Sequence, residues 1–363
     1  MPVGDSPMTI TLTTNALHPS STMVSHTLPA PPRIDPDSAK YLTIANDRRL
    51  SICAAGSSPL LSSFVVSCTV SYTTSSSPVP RHFSAANSEP CSLVGSLCAE
   101  RACLSSLPSL ATDLSQILAV HIVSDSESPL TPGFLCREYM NTAFPLSVMD
   151  PAAVDVVLAG VTTAGQIDWS TVKSAPLSSY WPAPSIYTGL RVSSHSFASL
   201  SLCLPCSDAG SASTAAVSSL YDSLRALASS PVDLSIYPSD ASHKVKYAAG
   251  VAFADGTVAV ARQIVGLEYG TSLDPVGRLA AGIEAKCGES VSAVSVMIVD
   301  NYGGAHAPFG AGRAFLGELG EGTGMKGADV YYHEWVDGEE KREVTMRSIK
   351  VEEMCRGLPT FRG

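Results

Sequence analysis

Charge is the scarcest property of this sequence. Asp, Glu, Lys and Arg make up 15% of its 363 residues, against roughly 25% in an average soluble protein. The 23 basic residues are outnumbered by 33 acidic ones, for a net charge of −10. Proteins that hold nucleic-acid phosphates usually carry a basic face. This balance argues against that class, and we expect no nucleic-acid partner.

Long hydrophobic runs and early positive charges are also lacking. No run of about 18 uncharged apolar residues occurs, so we expect no membrane-spanning helix. The first 32 residues contain no Lys or Arg, although secretory signals and presequences need them. We therefore expect an intracellular protein, cytosolic or within a cytosolic or cytoskeletal assembly. Its ten cysteines are then reduced thiols rather than a disulfide framework.

Apolar residues are plentiful, and their spacing predicts an α/β protein. They form 45% of the chain, enough for a sizeable core. Residues 1–38 carry Ser, Thr and Pro clusters and predict an extended arm. Asp37 and Ser38 predict the cap of a first helix, which continues to Leu50.

Strands and helices then alternate, and the order recurs in the second half. Those predicted for the first half are strands 64–72, 117–123 and 154–158, and helices 97–107 (ended by Pro108) and 134–144. Those predicted for the second half are helix 213–229, a hairpin around Asp255-Gly256, helix 274–286, strand 291–299 and a helix from Gly310. The recurrence predicts an internal duplication, with domains at 39–190 and 191–363 after the arm.

Two short segments carry residues suited to metal chemistry. Residues 98–101 read Cys-Ala-Glu-Arg, and residues 132–137 read Pro-Gly-Phe-Leu-Cys-Arg. Both are predicted to begin helices, whose N-terminal dipoles favour thiolates. In a zinc deaminase, thiolates hold the metal, the metal acidifies a water, and a carboxylate moves the proton. This chemistry makes Cys98, Cys136 and Glu100 the candidate site.

The motifs resemble the cytidine deaminase family, whose nucleoside-type members carry Cys-Ala-Glu-Arg and, later, Pro-Cys-x-x-Cys-Arg. Asn87 and Glu89 match the family's ribose-binding Asn-x-Glu pair, and Phe64 matches a Phe near the base. The resemblance covers roughly residues 40–185. It implies tandem three-layer α/β/α domains, each a mixed sheet with helices on both faces. It also implies Glu100 as the acid/base, Cys98 and Cys136 as zinc ligands, and a pyrimidine nucleoside as substrate.

One position departs from the family pattern. Gly133 occupies the place of the middle zinc ligand, and glycine has no side chain to coordinate. Cys103 lies about 140° round the helix from Cys98 and faces elsewhere. Cys91 in the preceding loop is a possible substitute. His121 lies in an apolar run, where a lone histidine is more often a satisfied core residue.

The second copy has lost more of the pattern. Its counterparts of the first ligand and the acid/base are Asp274 and Val276, and those of the later ligands are Phe309 and Gly312. Gln263 and Val265 stand where the ribose pair belongs. Residues 171–177 and 349–354 resemble the closing helices of the two copies. Cys203-Leu204-Pro205-Cys206 has no second pair and is expected to be packing or chance.

Two classes of function remain open. The first is a deaminase-like pseudoenzyme that serves as a structural or interaction subunit, with protein partners or a second copy of itself. The second is an active zinc-dependent cytidine or deoxycytidine deaminase. A weaker third possibility is nucleoside binding without turnover. Zinc is therefore a possible but doubtful cofactor.

Overall fold

The computed structural model describes eight stretches of the chain. They are 35–56, 64–89, 96–184, 212–231, 245–264, 273–319, 324–337 and 342–356. Residues 1–34 lie outside them, as do Cys91, Val265 and the Cys203–Cys206 pair. Among the described helices, none is both long and apolar enough to cross a membrane.

Helix α1 (Pro36–Ala54) opens the described chain. The Asp35 carboxylate caps it by accepting hydrogen bonds from the amides of Asp37 and Ser38, at 2.9 and 3.0 Å. Pro36 takes the first helical position, where a missing N–H is tolerated. The predicted cap at Asp37 and Ser38 is therefore wrong, because these residues supply the capped amides.

The first sheet has five strands in the order β2-β1-β3-β4-β5. Strands β3 and β4 are parallel, and the other neighbours are antiparallel. Helices α2 (Ala99–Leu110) and α3 (Phe134–Thr142) pack on one face, and α1 packs on the other. The strands are β1 (Val66–Thr74), β2 (Ser77–Ala86), β3 (Leu114–Ser124), β4 (Asp155–Ala159) and β5 (Lys173–Pro176).

Alternation along β1 creates these two faces. Cys68 and Val70 point into the core beneath α2 and α3. Ser67, on the opposite face, donates its hydroxyl to the backbone carbonyl of Ala45 in α1. A half-polar strand can therefore be fully buried, because its polar side is hydrogen-bonded.

The second sheet repeats this arrangement. Its strands run β11-β10-β8-β6-β7, with β9 paired to β8. Strands β8 and β10 are parallel, and the other pairs are antiparallel. The strands are β6 (Tyr247–Phe253), β7 (Val258–Arg262), β8 (Ala293–Asp300), β9 (Ala305–His306), β10 (Asp329–Asp337) and β11 (Arg342–Lys350).

Helices cover both faces of the second sheet as well. Helix α5 (Ala212–Ser229) packs on one face, while α6 (Ala280–Gly288) and α7 (Gly310–Leu319) lie with the core of the other. The prediction of three-layer α/β/α units with mixed sheets is confirmed. The common strand order is what a duplication predicts, although common descent of the halves stays a prediction.

Several local predictions are wrong. Pro108 lies inside α2, which continues to Leu110, because a proline in the last turn removes only one late hydrogen bond. Most of 171–177 forms edge strand β5, and only a single turn, α4 (Leu177–Tyr180), follows it. In the second half, 349–354 ends β11 and then forms the one-turn helix α8 (Val351–Met354). The helix predicted from 274 begins as a short 3₁₀ turn at Gly277.

Candidate functional site

The starts of α2 and α3 bring three predicted site residues together. Cys98 is the N-cap of α2, and Gly133 is the N-cap of α3, so Cys136 lies in the first turn of α3. One donor atom from each of Cys98, Glu100 and Cys136 lies within 4.8 Å of the others. No other group of three His, Cys, Asp or Glu is gathered so closely in the described ranges. Glu100 and Cys136 are buried, and Cys98 is half-buried.

The three groups polarise one another. A hydrogen bond from the Cys136 thiol, aided by Arg101, lowers the pKa of Cys98 to about 6. Donating that bond raises the pKa of Cys136. Burial, followed by the charge on Cys98, raises the pKa of Glu100 to about 7. The Arg101 guanidinium lies 3.8 Å from the Cys98 sulfur and donates to the carbonyl of Ser96. The cluster therefore holds one negative sulfur near neutral pH.

Gly133 leaves a gap beside this cluster. Its φ of −64° and ψ of 160° suit any residue, and a Cβ built on it meets no heavy atom within 4 Å. Neither backbone strain nor crowding requires glycine here. The position has room for a Cβ, and glycine supplies no donor atom there.

Within the described stretches, the donors present do not fit a catalytic zinc site. Such a site needs three protein ligands, an open water position and a carboxylate that remains free to move protons. Cys98 and Cys136 are two ligands. If Glu100 served as the third, it would no longer be free as the acid/base. The donors can thus form a three-ligand site or keep their proton carrier, but not both.

The inner cysteines lie just behind the cluster. The Cys103 thiol donates to the carbonyl of Phe83 at 3.1 Å, so it points away from Cys98 and Cys136. Cys68, on β1, is fully buried; burial and a hydrogen bond with Cys103 raise its pKa. Neither thiol belongs to the three-residue group, and Cys91 lies outside the described residues.

In the predicted ribose pair, the Asn87 side chain makes its hydrogen bonds within the chain. The Asn87 side-chain N–H groups donate to the carbonyl of Phe64 at 2.9 Å and to Glu89 Oε1 at 3.4 Å. The Asn87 oxygen accepts from the amide of Val66 at 2.8 Å. Asn87 therefore fastens the start of β1. The ribose role of Asn87 and Glu89, and the base contact of Phe64, stay predictions.

His121 is a core residue, as expected, but it is not fully satisfied. Its side chain is buried on the α1 face, with Nδ1 3.3 Å from the carbonyl oxygen of Thr69. The ring lies 5.2 Å from that of Tyr41. Nε2 is buried without a hydrogen-bond partner among the described atoms. Burial lowers the pKa of His121 to about 4, so the ring is neutral near pH 7.

The equivalent site of the second half is filled. A bridge between Ser88 and Leu97 precedes Cys98, and the corresponding bridge, between Ile264 and Leu273, precedes Asp274. This places Asp274 at the position of Cys98 and Val276 at that of Glu100.

The Asp274 carboxylate is used by the backbone. Its Oδ1 accepts from the amides of Val276 and Gly277, at 2.8 and 3.2 Å. A Cβ built on Gly312 would lie 3.1 Å from this Oδ1 and 3.2 Å from the Val276 Cβ. A side chain at position 312 would therefore be crowded, unlike one at Gly133.

Phe309, where the resemblance would place a ligand, belongs to an aromatic cluster. Its ring centroid is 5.0 Å from that of Tyr247 and 6.0 Å from that of His306. His306 Nε2 lies 2.8 Å from Asp300 Oδ2, with both side chains fully buried. The Phe309 side chain therefore serves packing within this half.

Two buried arginines are the residues that sequence reasoning missed. Arg137 follows Cys136, and its guanidinium is fully buried. Its Nη1 donates to the carbonyl of Tyr180 at 3.2 Å, and to that of Arg356 in the C-terminal segment at 2.9 Å. Nε donates to the carbonyl of Pro132 at 2.6 Å. Arg137 thereby ties α3 to a segment of the second half.

Arg313 makes the reciprocal connection. Its Nε donates to the carbonyl of Pro308 at 2.7 Å. Its two Nη atoms donate to the carbonyls of Pro182 and Ala183, at the end of the first half. The guanidinium lies 3.7 Å from the Trp181 ring centroid. Both arginines stand five residues after a proline, so their recurrence in the two halves is the signal that could have identified them.

A carboxylate of α3 makes a direct hydrogen bond to the start of α7. Glu138 Oε2 in α3 accepts a hydrogen bond at 3.1 Å from the amide of Gly310, the first residue of α7. A Cβ on Gly310 would lie 2.8 Å from that oxygen and 3.2 Å from the carbonyl oxygen of Phe134. A side chain here would displace the Glu138 carboxylate and crowd the carbonyl of Phe134, so glycine suits this close approach of the two helices.

Comparison with known proteins gives neighbours in one fold family. No family model matches the chain, and no curated protein matches it. Cytidine deaminase from Burkholderia pseudomallei is similar at 21% identity and a TM-score of 0.29, covering 40% of this chain and 95% of that one. The enzyme from Mycobacterium tuberculosis is similar at 16% identity and a TM-score of 0.24, covering 39% and 97%. That from Bacillus anthracis is 13% identical, with a TM-score of 0.24. The likeness is one of fold.

Proposed function

We propose that this chain is a deaminase-like pseudoenzyme that serves as a structural or interaction subunit of a larger assembly. One observation carries the proposal: Gly133 stands where a zinc deaminase needs its third ligand. Because the gap at Gly133 admits a side chain, the loss is chemical rather than steric. Two thiolates without a third ligand leave the catalytic water without a complete metal site.

The surroundings of the site support the same proposal. The N–H groups of Asn87 are already donated within the chain. In the second half, Asp274 is engaged by backbone amides and Val276 cannot carry a proton. Under this proposal, Asn87, Asp274 and Val276 serve the packing of the chain rather than catalysis.

A subunit role requires surfaces for partners. Edge strand β7 exposes Val258 and Val260, at 51% and 47% of their surface, and charge is scarce along the whole chain. The cores of protein interfaces are likewise depleted in charge. We expect the partners to be proteins, including a second copy of this chain as a homodimer.

A second function, zinc-dependent deamination of cytidine or deoxycytidine to the uridine product, is favoured by one observation. Cys98, Glu100 and Cys136 converge within 4.8 Å, and the Glu100 pKa of about 7 suits an acid/base near neutral pH. In that function Cys98 and Cys136 would hold the metal, which would acidify water. Glu100 would move the proton.

Zinc content and uridine formation decide between the two. We would measure both for the wild type, Gly133→Cys and the matched control Gly133→Ala. The pseudoenzyme proposal expects no stoichiometric zinc and no uridine from the wild type and the alanine variant. About one zinc per chain together with steady uridine formation by the wild type would overturn it.

The cysteine variant tests whether the missing ligand is the sole defect. If Gly133→Cys gains zinc and activity, the remaining pocket is competent. If it gains zinc alone, a second defect remains in the pocket. Calorimetry with cytidine then distinguishes lost substrate binding from nucleoside binding without turnover. Native mass spectrometry tests the assembly role. A free monomer of 37.8 kDa from gently lysed native cells, without a protein partner, would count against it.

A further inference from the structure

The Cys98 and Cys136 thiols have a chemistry of their own that does not involve deamination. They extend from the starts of two helices, and their sulfur atoms lie within 4.8 Å of each other. Neither is in a disulfide. We propose that Cys98 and Cys136 form a redox-active dithiol, which peroxides oxidise to a reversible disulfide.

The surroundings of Cys98 are those of a reactive cysteine. It caps α2 and is half-buried, and the Arg101 guanidinium lies 3.8 Å from its sulfur. Helix N-termini and neighbouring arginines both activate cysteines. A Cβ built on Gly133 meets no heavy atom within 4 Å, so no side chain at the start of α3 crowds the pair.

Cys136 is placed as the resolving partner. It is fully buried, so an oxidant in solution reaches Cys98 first. With glycine at 133, no third thiol of that motif shares a metal with the pair. The mutation that removes a zinc ligand therefore leaves two adjacent thiols.

The reaction balances in two steps. The Cys98 sulfur attacks one peroxide oxygen, the O–O bond breaks, and the leaving hydroxide takes a proton to form water. Cys98 is now a sulfenic acid. The Cys136 sulfur then attacks the Cys98 sulfur and the S–O bond breaks. The leaving hydroxide takes the thiol proton as a second water, so two thiols are oxidised and one peroxide is reduced.

Cys68 and Cys103 form a second pair of neighbouring thiols, and the test must distinguish a disulfide between them from one between Cys98 and Cys136. Cys68 and Cys103 are fully buried and hydrogen-bonded to each other. Peroxide has no direct path to them past the packed core. Oxidation that begins at Cys98 is therefore expected to end on Cys136, whose sulfur lies within 4.8 Å of the Cys98 sulfur.

The experiment treats the chelator-washed full-length chain with equimolar hydrogen peroxide. We expect its mass to fall by about 2 Da, the loss of two hydrogens in one disulfide, and dithiothreitol to restore it. Digestion with trypsin and Asp-N separates Cys103 from Cys136. Cys91 and Cys98 remain on one peptide, 82–101, and fragmentation of the linked peptide in the mass spectrometer tells which of the two is bonded. A Cys98–Cys136 link supports the proposal. A link to Cys103 or Cys68, or no link, overturns it.

Variants test the order of events. Cys136→Ser should stop the reaction at a Cys98 sulfenic acid, which dimedone traps. Cys98→Ser should prevent both the trapped product and the disulfide. The control Cys53→Ser removes an exposed cysteine of α1 and should leave the disulfide unchanged. If Cys53→Ser abolishes it, or Cys98→Ser does not, the assignment is wrong.

The Arg101→Met variant measures activation. We expect about tenfold slower oxidation of Cys98, because the cation beside the sulfur is lost; an unchanged rate would contradict the role of Arg101. These readouts are independent of uridine formation. Failure of the pseudoenzyme proposal would appear as bound zinc and turnover, whereas failure of this one would appear as missing or misplaced disulfides in metal-free protein.

Discussion

His121 should make the protein lose stability in acid, and the size of the loss follows from its burial. The pKa of its imidazole falls from 6.5 to about 4 in the folded protein, chiefly because burial disfavours the charged ring. As the pH falls below 6.5, the unfolded chain takes up this proton first. The contribution of His121 is therefore complete above about pH 6.5 and is lost between there and pH 4.

The magnitude comes from the two pKa values. The full difference between the two pKa values corresponds to about 3 kcal/mol in the free energy of unfolding. Between pH 7.5 and 4.5, the part that is lost is about 2 to 3 kcal/mol. Urea unfolding at these two pH values measures it. The wild type should lose about 2 to 3 kcal/mol more than His121→Gln, whose amide stays neutral.

The control variant is His82→Gln. His82 is exposed on β2, and its ring lies 5.8 Å from that of Tyr41, the same tyrosine that His121 contacts. Removing it should leave the acid sensitivity of the wild type intact, because its side chain is exposed and lies outside the core. If His121→Gln loses as much stability as the wild type, to within about 0.5 kcal/mol, burial of this ring does not govern the acid response.

Two further predictions concern the contact between the halves. Gly310→Ala should lower the free energy of unfolding by about 1 to 3 kcal/mol, because its Cβ would lie 2.8 Å from Glu138 Oε2. Gly133→Ala meets open space and should change it by no more than about 0.5 kcal/mol; equal effects in urea unfolding would contradict this contrast. Arg313→Met should cost about 3 kcal/mol or more, since it leaves buried carbonyls without donors. An unchanged melting temperature in calorimetry would refute that role.

The strands that the sequence predicted best are those whose burial is uniform. Residues 117–123 are a nearly continuous apolar run, interrupted only by His121, and they lie inside β3 between helices on both faces. Strand β2 (Ser77–Ala86) was missed because it contains two prolines and only one β-branched residue, Val79. It lies at the edge of the sheet, where one side of the strand needs no partner and proline is tolerated.

The candidate site was partly predictable, because its two thiols lie in recognisable sequence motifs. Cys98 and Cys136 follow from motifs that begin helices, and helix starts at the same edge of a sheet lie close together. The arginine contacts were not predictable, because Arg137 donates to the backbone carbonyls of Tyr180 and Arg356. A carbonyl acceptor leaves no trace in residue type, and only the fold brings these distant segments to the guanidinium.

The arginines also indicate which part of the deaminase-like pattern this chain still uses. The metal and acid positions differ between the halves, with Cys98 in one and Asp274 in the other. By contrast, each half has a buried arginine at the same position, Arg137 in the first and Arg313 in the second. Burying a guanidinium is costly unless its donors are satisfied, and each arginine satisfies them partly on the other half. In a chain with so few charges, two are thus committed to holding the halves together. That commitment requires no metal, so the contact between the halves does not depend on zinc. Under the proposed function, the thiols of Cys98 and Cys136 are available for another reaction.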